Sequence, residues 1–245
     1  MSWAAGDLTT DAFLSGRVQL TQPKKGFRSG ADAVLLAAAV DAAPGETLLD
    51  VGCGAGAAAL CVAARVPGVR IHGVEMQGDY AALARKNGLA EVWADDIFDP
   101  SMALKSVSFD WIITNPPFFE LTDPASPERG RSIARQAARP LGDWVTACLR
   151  RLKPGGRFAM INQVEALPEA LSALAGAGDI AVLPLQPRAA KAAKRIILTA
   201  RKGSRAAFRV APPLILHDGD RHLRDGESYS AAANMILRDA APLRF

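Results

Sequence analysis

The sequence predicts an α/β fold: a mostly parallel sheet with helices packed on both faces. Three observations predict it. Strand-like and helix-like runs alternate with short connections from residue 47 to residue 183, the rhythm of parallel strands joined by crossover helices. A buried strand, 47–51, runs straight into a glycine-rich turn and an alanine-rich helix. Late in the chain two strand-like runs, 195–200 and 207–210, are joined only by Arg201-Lys202-Gly203-Ser204. That link is too short for a parallel crossover, so it predicts a C-terminal antiparallel hairpin.

Each element has a local reason. Residues 17–23 alternate as a short strand, and Lys24-Lys25-Gly26 marks a turn. Ser29 and Asp32 have capping-box spacing and open an apolar helix, 31–40. Then come strand 47–51, helix 57–66, strand 69–75, helix 79–87, strand 90–94 and strand 108–114. Helix 141–152 ends at Lys153-Pro154-Gly155-Gly156, before strand 157–162, helix 168–174 and strand 180–183. The tail 228–238 has the pattern of a final helix. Internal repeats are missing, and the only biased stretch is alanine-rich, 189–193. The expected organisation is a cap segment, 1–45, with a short strand and a helix, packed on a main domain, 46–245.

With 245 residues the chain fits one domain with a small extension. Its 49% apolar and 22% charged content is that of an ordinary globular protein. No run of about 18 apolar residues exists, so no membrane span is expected. The stretch Met1-Ser2-Trp3-Ala4-Ala5-Gly6-Asp7 lacks the basic and apolar regions of a signal peptide. Cys53, Cys61 and Cys148 show no CxxC spacing and read as reduced thiols of a cytoplasmic protein. Net charge is +4, but its distribution says more. Between Asp179 and Asp218 there is no acid, only Arg188, Lys191, Lys194, Arg195, Arg201, Lys202, Arg205 and Arg209. A second cluster is Arg129, Arg131, Arg135 and Arg139. Either run alone reads as a solvated face. Two of them, one beside the candidate site, point to a polyanionic partner such as RNA, with Arg129, Arg131, Arg135, Arg188, Lys191 and Lys194 as its contacts.

The turn Gly52-Cys53-Gly54-Ala55-Gly56 closes the strand Leu48-Leu49-Asp50-Val51. Glycines there allow positive φ and a close approach of backbone to ligand, and the following helix offers N–H groups to anionic atoms. Glu75 closes the next strand, where an acid can accept both hydroxyls of a ribose. Nicotinamide enzymes use the same device. Two details favour S-adenosylmethionine (SAM): the spacing is GxGxG with Ala57 where a dinucleotide site needs its third glycine, and Asp50 sits inside the strand. A nucleotide, or a merely structural turn, are the alternatives. After the third strand, Asp96 is positioned for an adenine amino group and Ile97 for its ring, against the plainer reading of the Asp95-Asp96 pair as a turn.

Asn115-Pro116-Pro117-Phe118 follows the apolar strand directly. Two prolines remove donors and stiffen the loop. Carbonyl oxygens and the Asn115 amide oxygen are then fixed acceptors beside an aromatic face. Such a loop suits a planar amino group held by two acceptors and stacked on a ring, and its chemistry is methylation of an amine. Asn115 and Pro116 would accept the amine's hydrogens, Pro117 would lock the elbow and Phe118 would stack on the base.

Together these residues resemble the SAM-dependent methyltransferases that carry an Asn/Asp-Pro-Pro-Tyr/Phe loop. The closer resemblance is to the bacterial valine-tRNA adenine (6-amino) methyltransferase family, which modifies the adenosine beside the anticodon. It rests on FLSGRVQLTQPKKGFRSGADAVLLAAAV (13–40), LLDVGCGAG (48–56), NPPFFE (115–120), AKRIILTARKGSR (193–205) and PPLILHD (212–218), which together span nearly the whole chain. The resemblance implies a Rossmann-like class I methyltransferase fold, a seven-stranded sheet with its last strand antiparallel. It implies that Asp50, Gly52, Gly54, Glu75 and Asp96 hold SAM, with Cys53 and Gly56 in the same turn, and that Phe27 and Arg28 close over the methionine half. Its substrate would be a tRNA.

Rival readings keep the loop but change the acceptor to a glutamine side chain or another nucleic-acid amine, or change the class to an NAD-dependent oxidoreductase or a non-catalytic RNA-binding scaffold. His72 lies inside a strand and reads as a structural residue. His217, His222, Asp218 and Asp220 invite a metal, but no helix or strand period puts the four on one face, so no metal is expected. Trp3, Trp93, Trp111 and Trp144 read as core. The sequence is silent on oligomeric state.

Overall fold

The computed structural model describes residues 3–117, 139–219 and 228–245. The chain opens with β1 (Leu8–Phe13), paired antiparallel with β2 (Val18–Pro23) from Leu8↔Pro23 to Phe13↔Val18. Helix α1 (Ala31–Ala38) follows, and Ala33 to Ala38 are all buried. A helix apolar all round must be covered on every side; here α2 (Ala57–Arg65) and the last helix, α7 (Ala231–Asp239), pack on it together with the sheet. The expected capping box is not formed. Gly30 is the N-cap, the Ser29 N–H donates to Gln22 Oε1 at 2.7 Å, and Asp32 is drawn away to Arg195, Nε to Oδ2 2.6 Å.

The main sheet is built from β3 (Thr47–Val51), β4 (Arg70–Val74), β5 (Glu91–Trp93), β6 (Phe109–Thr114), β7 (Leu152–Gln163), β8 (Ala177–Gln186) and β9 (Arg195–Lys202). Between them lie α2, α3 (Gly78–Lys86), the short α4 (Met102–Lys105), α5 (Leu141–Arg151) and α6 (Leu167–Ala173). The strand order is β5-β4-β3-β6-β7-β9-β8, all parallel except β9, which is antiparallel to both its neighbours. This is the mostly parallel seven-stranded sheet the resemblance implied. Two short strands, β10 (Arg209–Val210) and β11 (Leu214–Ile215), extend it by pairing parallel with β8.

The C-terminal antiparallel strands are therefore present, but their pairing differs from the expected hairpin. The chain does reverse after β9, yet β9 already has β7 on one side and β8 on the other. With both edges occupied it cannot accept β10, which steps over to the outer edge of β8, Arg209 opposite Ala181. Pro154 and the two glycines fall inside the bounds of β7 rather than before it, at a register shift opposite Phe109 and Trp111. There a Cβ on Gly156 would come within about 3 Å of two carbonyl oxygens.

Alternate strand residues divide between two cores, as a sheet covered on both faces requires. Leu48, Ile113 and Ile197 face α1, α2 and α7; Leu49, Ile112 and Leu198 face α5 and α6. Each such fully buried side chain contributes about 1.5–3 kcal/mol. Trp111 and Trp144 are core residues, while Trp3 and Trp93 are partly buried. The order also places a reversal at the centre. From β3 the chain steps outwards to β4 and β5; from β6 it steps the other way to β7. The crevice at the carboxyl ends of β3 and β6 is where an open α/β sheet receives its ligand.

Candidate active site

Val51 ends β3 opposite Val74 of β4 and Thr114 of β6, so the residues after these three strands share one rim. After β3 the chain turns on Gly52 and Gly54, at φ +71° and +54°. A Cβ on Gly52 would lie 3.2 Å from the Trp144 ring, and one on Gly54 would lie 3.6 Å from the Phe27 ring. The turn thus runs between two aromatic rings: a side chain at Gly52 would crowd Trp144, and at Gly54 the positive φ, rather than space, disfavours one.

Its N–H groups are engaged within the protein. Gly52 and Cys53 donate to the Val74 carbonyl at 2.8 and 3.2 Å, and Gly56 donates to the Cys53 carbonyl at 2.8 Å. Gly54 donates to Glu75 Oε2 at 3.0 Å, and Ala59, in the first turn of α2, donates to Asp50 Oδ2 at 3.2 Å. A pyrophosphate needs such groups free. Here backbone carbonyls hold three of them and carboxylates hold those of Gly54 and Ala59, and acidic groups in this place oppose a dinucleotide. The donor set instead fits the ribose and cationic methionine part of SAM.

Both carboxylates are buried, Asp50 at 3% and Glu75 at 6% exposure. Burial pushes Asp50 up to about 7, the charge of Glu75 adding to it and the Ala59 N–H opposing it. Burial also raises Glu75, against hydrogen bonds from the Gln77 and Gly54 N–H groups. Gln77 donates to Glu75 Oε1 at 2.9 Å, so the two oxygens of Glu75 brace both the glycine turn and the start of α3. The Cys53 thiol is likewise raised, by burial first and then by the two acids.

Next along the rim, Asp95 N–H donates to the Glu75 carbonyl at 3.2 Å, which sets the 95–97 turn against β4. Asp96 Oδ1 accepts the Phe98 N–H at 2.9 Å and Asp95 accepts those of Asp96 and Ser101, so the pair does form a turn as well as border the site. Ile97 is buried in the core beneath it. Phe27 is half-exposed with its ring over Gly54, and its carbonyl accepts the Tyr80 hydroxyl at 3.0 Å. Arg28 points elsewhere: its guanidinium pairs with Asp11 at 2.6 Å and donates to the Pro23 carbonyl at 3.0 Å, bracing the β1–β2 hairpin.

Asn115, Pro116 and Pro117 follow Thr114 directly, with Pro116 buried and its two neighbours partly so. Phe118 lies outside the described residues, as do Arg129, Arg131, Arg135, Asp220 and His222. One connection here was not foreseen. The Thr114 hydroxyl, wholly buried, donates to the Val51 carbonyl at 2.8 Å and accepts the Trp144 indole N–H at 2.9 Å. Trp144 therefore ties the end of β6 to the end of β3 while its ring supports Gly52. In the sequence it is one apolar residue in an amphipathic helix, indistinguishable from core. Phe98 meets its edge at 5.6 Å, and Arg139 lies 4.5 Å over the Phe98 ring, which brings one arginine of the second basic cluster to the site.

The acid-free run does not make one basic face. Strand β9 carries it across the sheet, so 188–195 lies at the site's rim, while Arg201 lies about 20 Å along β9 from Arg195 and Arg209 is level with Thr199. At the rim Arg188 is buried and donates to the carbonyls of Asp218 and Gly219, so it holds that segment rather than facing outwards. Lys191 and Lys194 are exposed there. His217 stacks on Tyr229 at 4.7 Å, and no cluster of metal-ligating side chains exists among the described residues. No described helix is long and apolar enough to cross a membrane.

Residues 28–177 match the family model described as methyltransferase small domain. The tRNA1(Val) (adenine(37)-N6)-methyltransferase of Porphyromonas gingivalis is 34% identical over 176 residues, covering 66% of this chain and 69% of that protein. The enzyme of the same name from Dickeya chrysanthemi is 28% identical over 249 residues, 95% of this chain and 94% of that one. Among solved structures, a predicted O-methyltransferase from Agrobacterium tumefaciens superposes with a TM-score of 0.70 at 24% identity, over 86% of this chain and 98% of its own, which shows a shared fold.

Proposed function

The chain belongs to the methyltransferase small domain family and to the tRNA1(Val) adenine-N6 methyltransferases, and from that premise we propose how its residues methylate adenine 37 of a valine tRNA on the 6-amino group, using SAM. The observation that carries the reading is the contact between the two loops. The stiff Asn-Pro-Pro elbow after β6 and the glycine turn after β3 leave adjacent strands, and the Val51–Thr114–Trp144 bridge fixes one against the other.

Asp50, Gly52, Gly54 and Glu75 would hold SAM, with Asp96 and Ile97 at its adenine and Phe27 covering the turn. Residues 1–45 then form a cap on the catalytic domain 46–245. The bound cofactor supplies a methyl group already activated on a sulfonium, so little acid–base chemistry is asked of the protein. Its task is to place the adenine amine in line with that methyl at about 3 Å. The amide oxygen of Asn115 and the carbonyl of Pro116 accept the two amino hydrogens. An exocyclic amine conjugated into its ring is a poor nucleophile; two acceptors in a fixed geometry favour the tetrahedral nitrogen. Positive charge would grow on that nitrogen as it takes the methyl group and the sulfonium becomes a neutral thioether, and the surplus proton would then pass to water. Fixed acceptor dipoles therefore stabilise the transition state more than the ground state. Turning a base out costs a few kcal/mol, least in an unpaired loop, which suits an anticodon-loop target. Arg139, Lys191 and Lys194 would lie along the RNA, and the enzyme would work in the cytoplasm with its substrate.

The test is nucleoside mass spectrometry of valine tRNA from a deletion strain. 6-Methyladenosine should vanish and return with the wild-type gene. Asn115→Ala should bind SAM normally by calorimetry yet turn over about 100-fold more slowly. Unchanged 6-methyladenosine in the deletion strain refutes the tRNA assignment.

A further inference from the structure

Three adjacent strands carry Trp111, Arg157 and Arg201 in one row, Trp111 opposite Arg157 on β6 and β7, and Arg157 opposite Arg201 on β7 and β9. The row crosses the sheet three residues before the carboxyl end of β6, on the amino-terminal side of the catalytic rim. Like charges directly opposite one another across a strand pair are destabilising, yet neither arginine is given a carboxylate here. The Arg157 guanidinium lies 5.6 Å from the Trp111 ring centre, and Arg201 Nε donates to the Gly155 carbonyl at 3.1 Å. Beside them is a cleft of about 270 Å³, lined also by Arg209, Arg244 and Leu243. Two acidic side chains border it, and so does Phe245, whose carbonyl oxygen accepts from Arg209 at 3.1 Å. Asp179 is taken by Arg209 at 2.6 Å, and Asp41 sits in the field of Arg65. Arg157, Arg201 and Arg244 form no ion pair with any described carboxylate. All three are exposed.

We propose that this cleft is a second anchoring site for the RNA substrate, with Arg157, Arg201 and Arg244 binding backbone phosphates remote from the methylated base. The inference rests on the tRNA reading given above. Its chemistry is that of guanidinium groups converging on a phosphodiester, which they bind with two parallel hydrogen bonds. An anion between Arg157 and Arg201 also relieves their repulsion. The row lies about 13 Å along β6 from Asn115 and about 20 Å along β9 from Arg195, so a folded tRNA, whose body extends well past its anticodon loop, can reach both places at once. Such contacts fix orientation without reading sequence, so this site would add affinity and leave the choice of base to the rim.

The experiment compares wild type with the triple variant Arg157→Gln/Arg201→Gln/Arg244→Gln, using whole valine tRNA and a minimal anticodon hairpin. For whole tRNA the variant should bind roughly 10- to 100-fold more weakly near physiological salt, and its plot of log affinity against log salt should be shallower by about 2 to 3. The hairpin should bind both proteins alike, and SAM affinity and melting temperature should match wild type. If the triple variant melts early, the single variants Arg157→Gln and Arg244→Gln should each flatten the salt plot by just under about 1. An unchanged slope on whole tRNA overturns the proposal, and so does an equal loss on the hairpin. Wild-type enzyme that methylates tRNA normally while the slope stays fixed refutes the cleft alone. Wild-type enzyme that never methylates tRNA refutes the reading beneath it.

Discussion

Replacing Asp50 by asparagine removes a buried charge that weakens the fold, and the effect has a sign and a window. Asp50 is 3% exposed, and burial pushes it from 3.8 up to about 7. Between those values the folded protein holds a proton that the unfolded chain has lost, so wild-type stability falls as pH rises through this range. Each unit is worth about 1.4 kcal/mol, so the ionised carboxylate costs about 4 kcal/mol once pH exceeds the folded value. Asparagine does not titrate, and its oxygen can still accept the Ala59 N–H. Its amide hydrogens introduce a fixed penalty of about 1–3 kcal/mol where they lack acceptors, but that offset does not vary with pH. The reliable quantity is therefore the change in the difference between the two proteins. From pH 5 to pH 8 it should move by roughly 2 to 3 kcal/mol in favour of Asp50→Asn. In a chain of this size that is roughly 5–10 °C in relative melting temperature. Calorimetric melts of the ligand-free proteins across that range measure it. A difference that stays flat with pH refutes the reasoning, because it would mean that Asp50 is ionised in the fold at no cost. SAM affinity should fall in the same variant, since the buried charge serves the cationic ligand.

Thr114→Val keeps shape but strands the Trp144 N–H and the Val51 carbonyl, and should cost about 2–4 kcal/mol in urea unfolding; it should also lower kcat more than it raises the KM for SAM, with Thr114→Ser restoring both. In a Trp144→Phe background the same change should cost about 1 kcal/mol less, because the bridge is already broken, and strict additivity would show that the two groups act separately. Gly52→Ala combines a strained positive φ with a Cβ 3.2 Å from the Trp144 ring; SAM binding by calorimetry should be lost or nearly so, and wild-type affinity would mean that the turn can move.

What the sequence made legible was what neighbouring residues decide. The run 47–51 matched β3 in full and 108–114 matched β6 to one residue, because buried strands bounded by glycine or proline are self-announcing. The glycine turn, the acids Asp50 and Glu75, and the Asn-Pro-Pro elbow lie on one rim for the same reason. Strand β1 was not legible: in LTTDAF its alternate residues are partly buried at best, so no apolar period marks it. The hairpin expectation failed because reversal is local, whereas the availability of an edge is a property of the whole sheet. Charge misled in the same way. Arg188, Arg195 and Arg209 count as three cations in the sequence, but in the fold they are held by the 218–219 carbonyls, Asp32 and Asp179.

Trp144 shows most plainly where local reading stops and why function begins there. It is separated by 30 residues from Thr114, which its indole binds, and lies farther still from Gly52, which its ring supports. Nothing around it in the sequence distinguishes it from Val145 or Leu141, also buried on the same helix. Yet the two loops need a common reference if an amine is to meet a methyl group in line, since errors of about 1 Å can cost about 100-fold in rate. Helix α5 supplies that reference because it packs on β6 and β7 and carries Trp144 to the turn that ends β3. The chemistry is thus carried by residues that sequence exposes, while their spacing is set by one it conceals. Variants of the bridge should therefore change rate while both loops remain chemically intact.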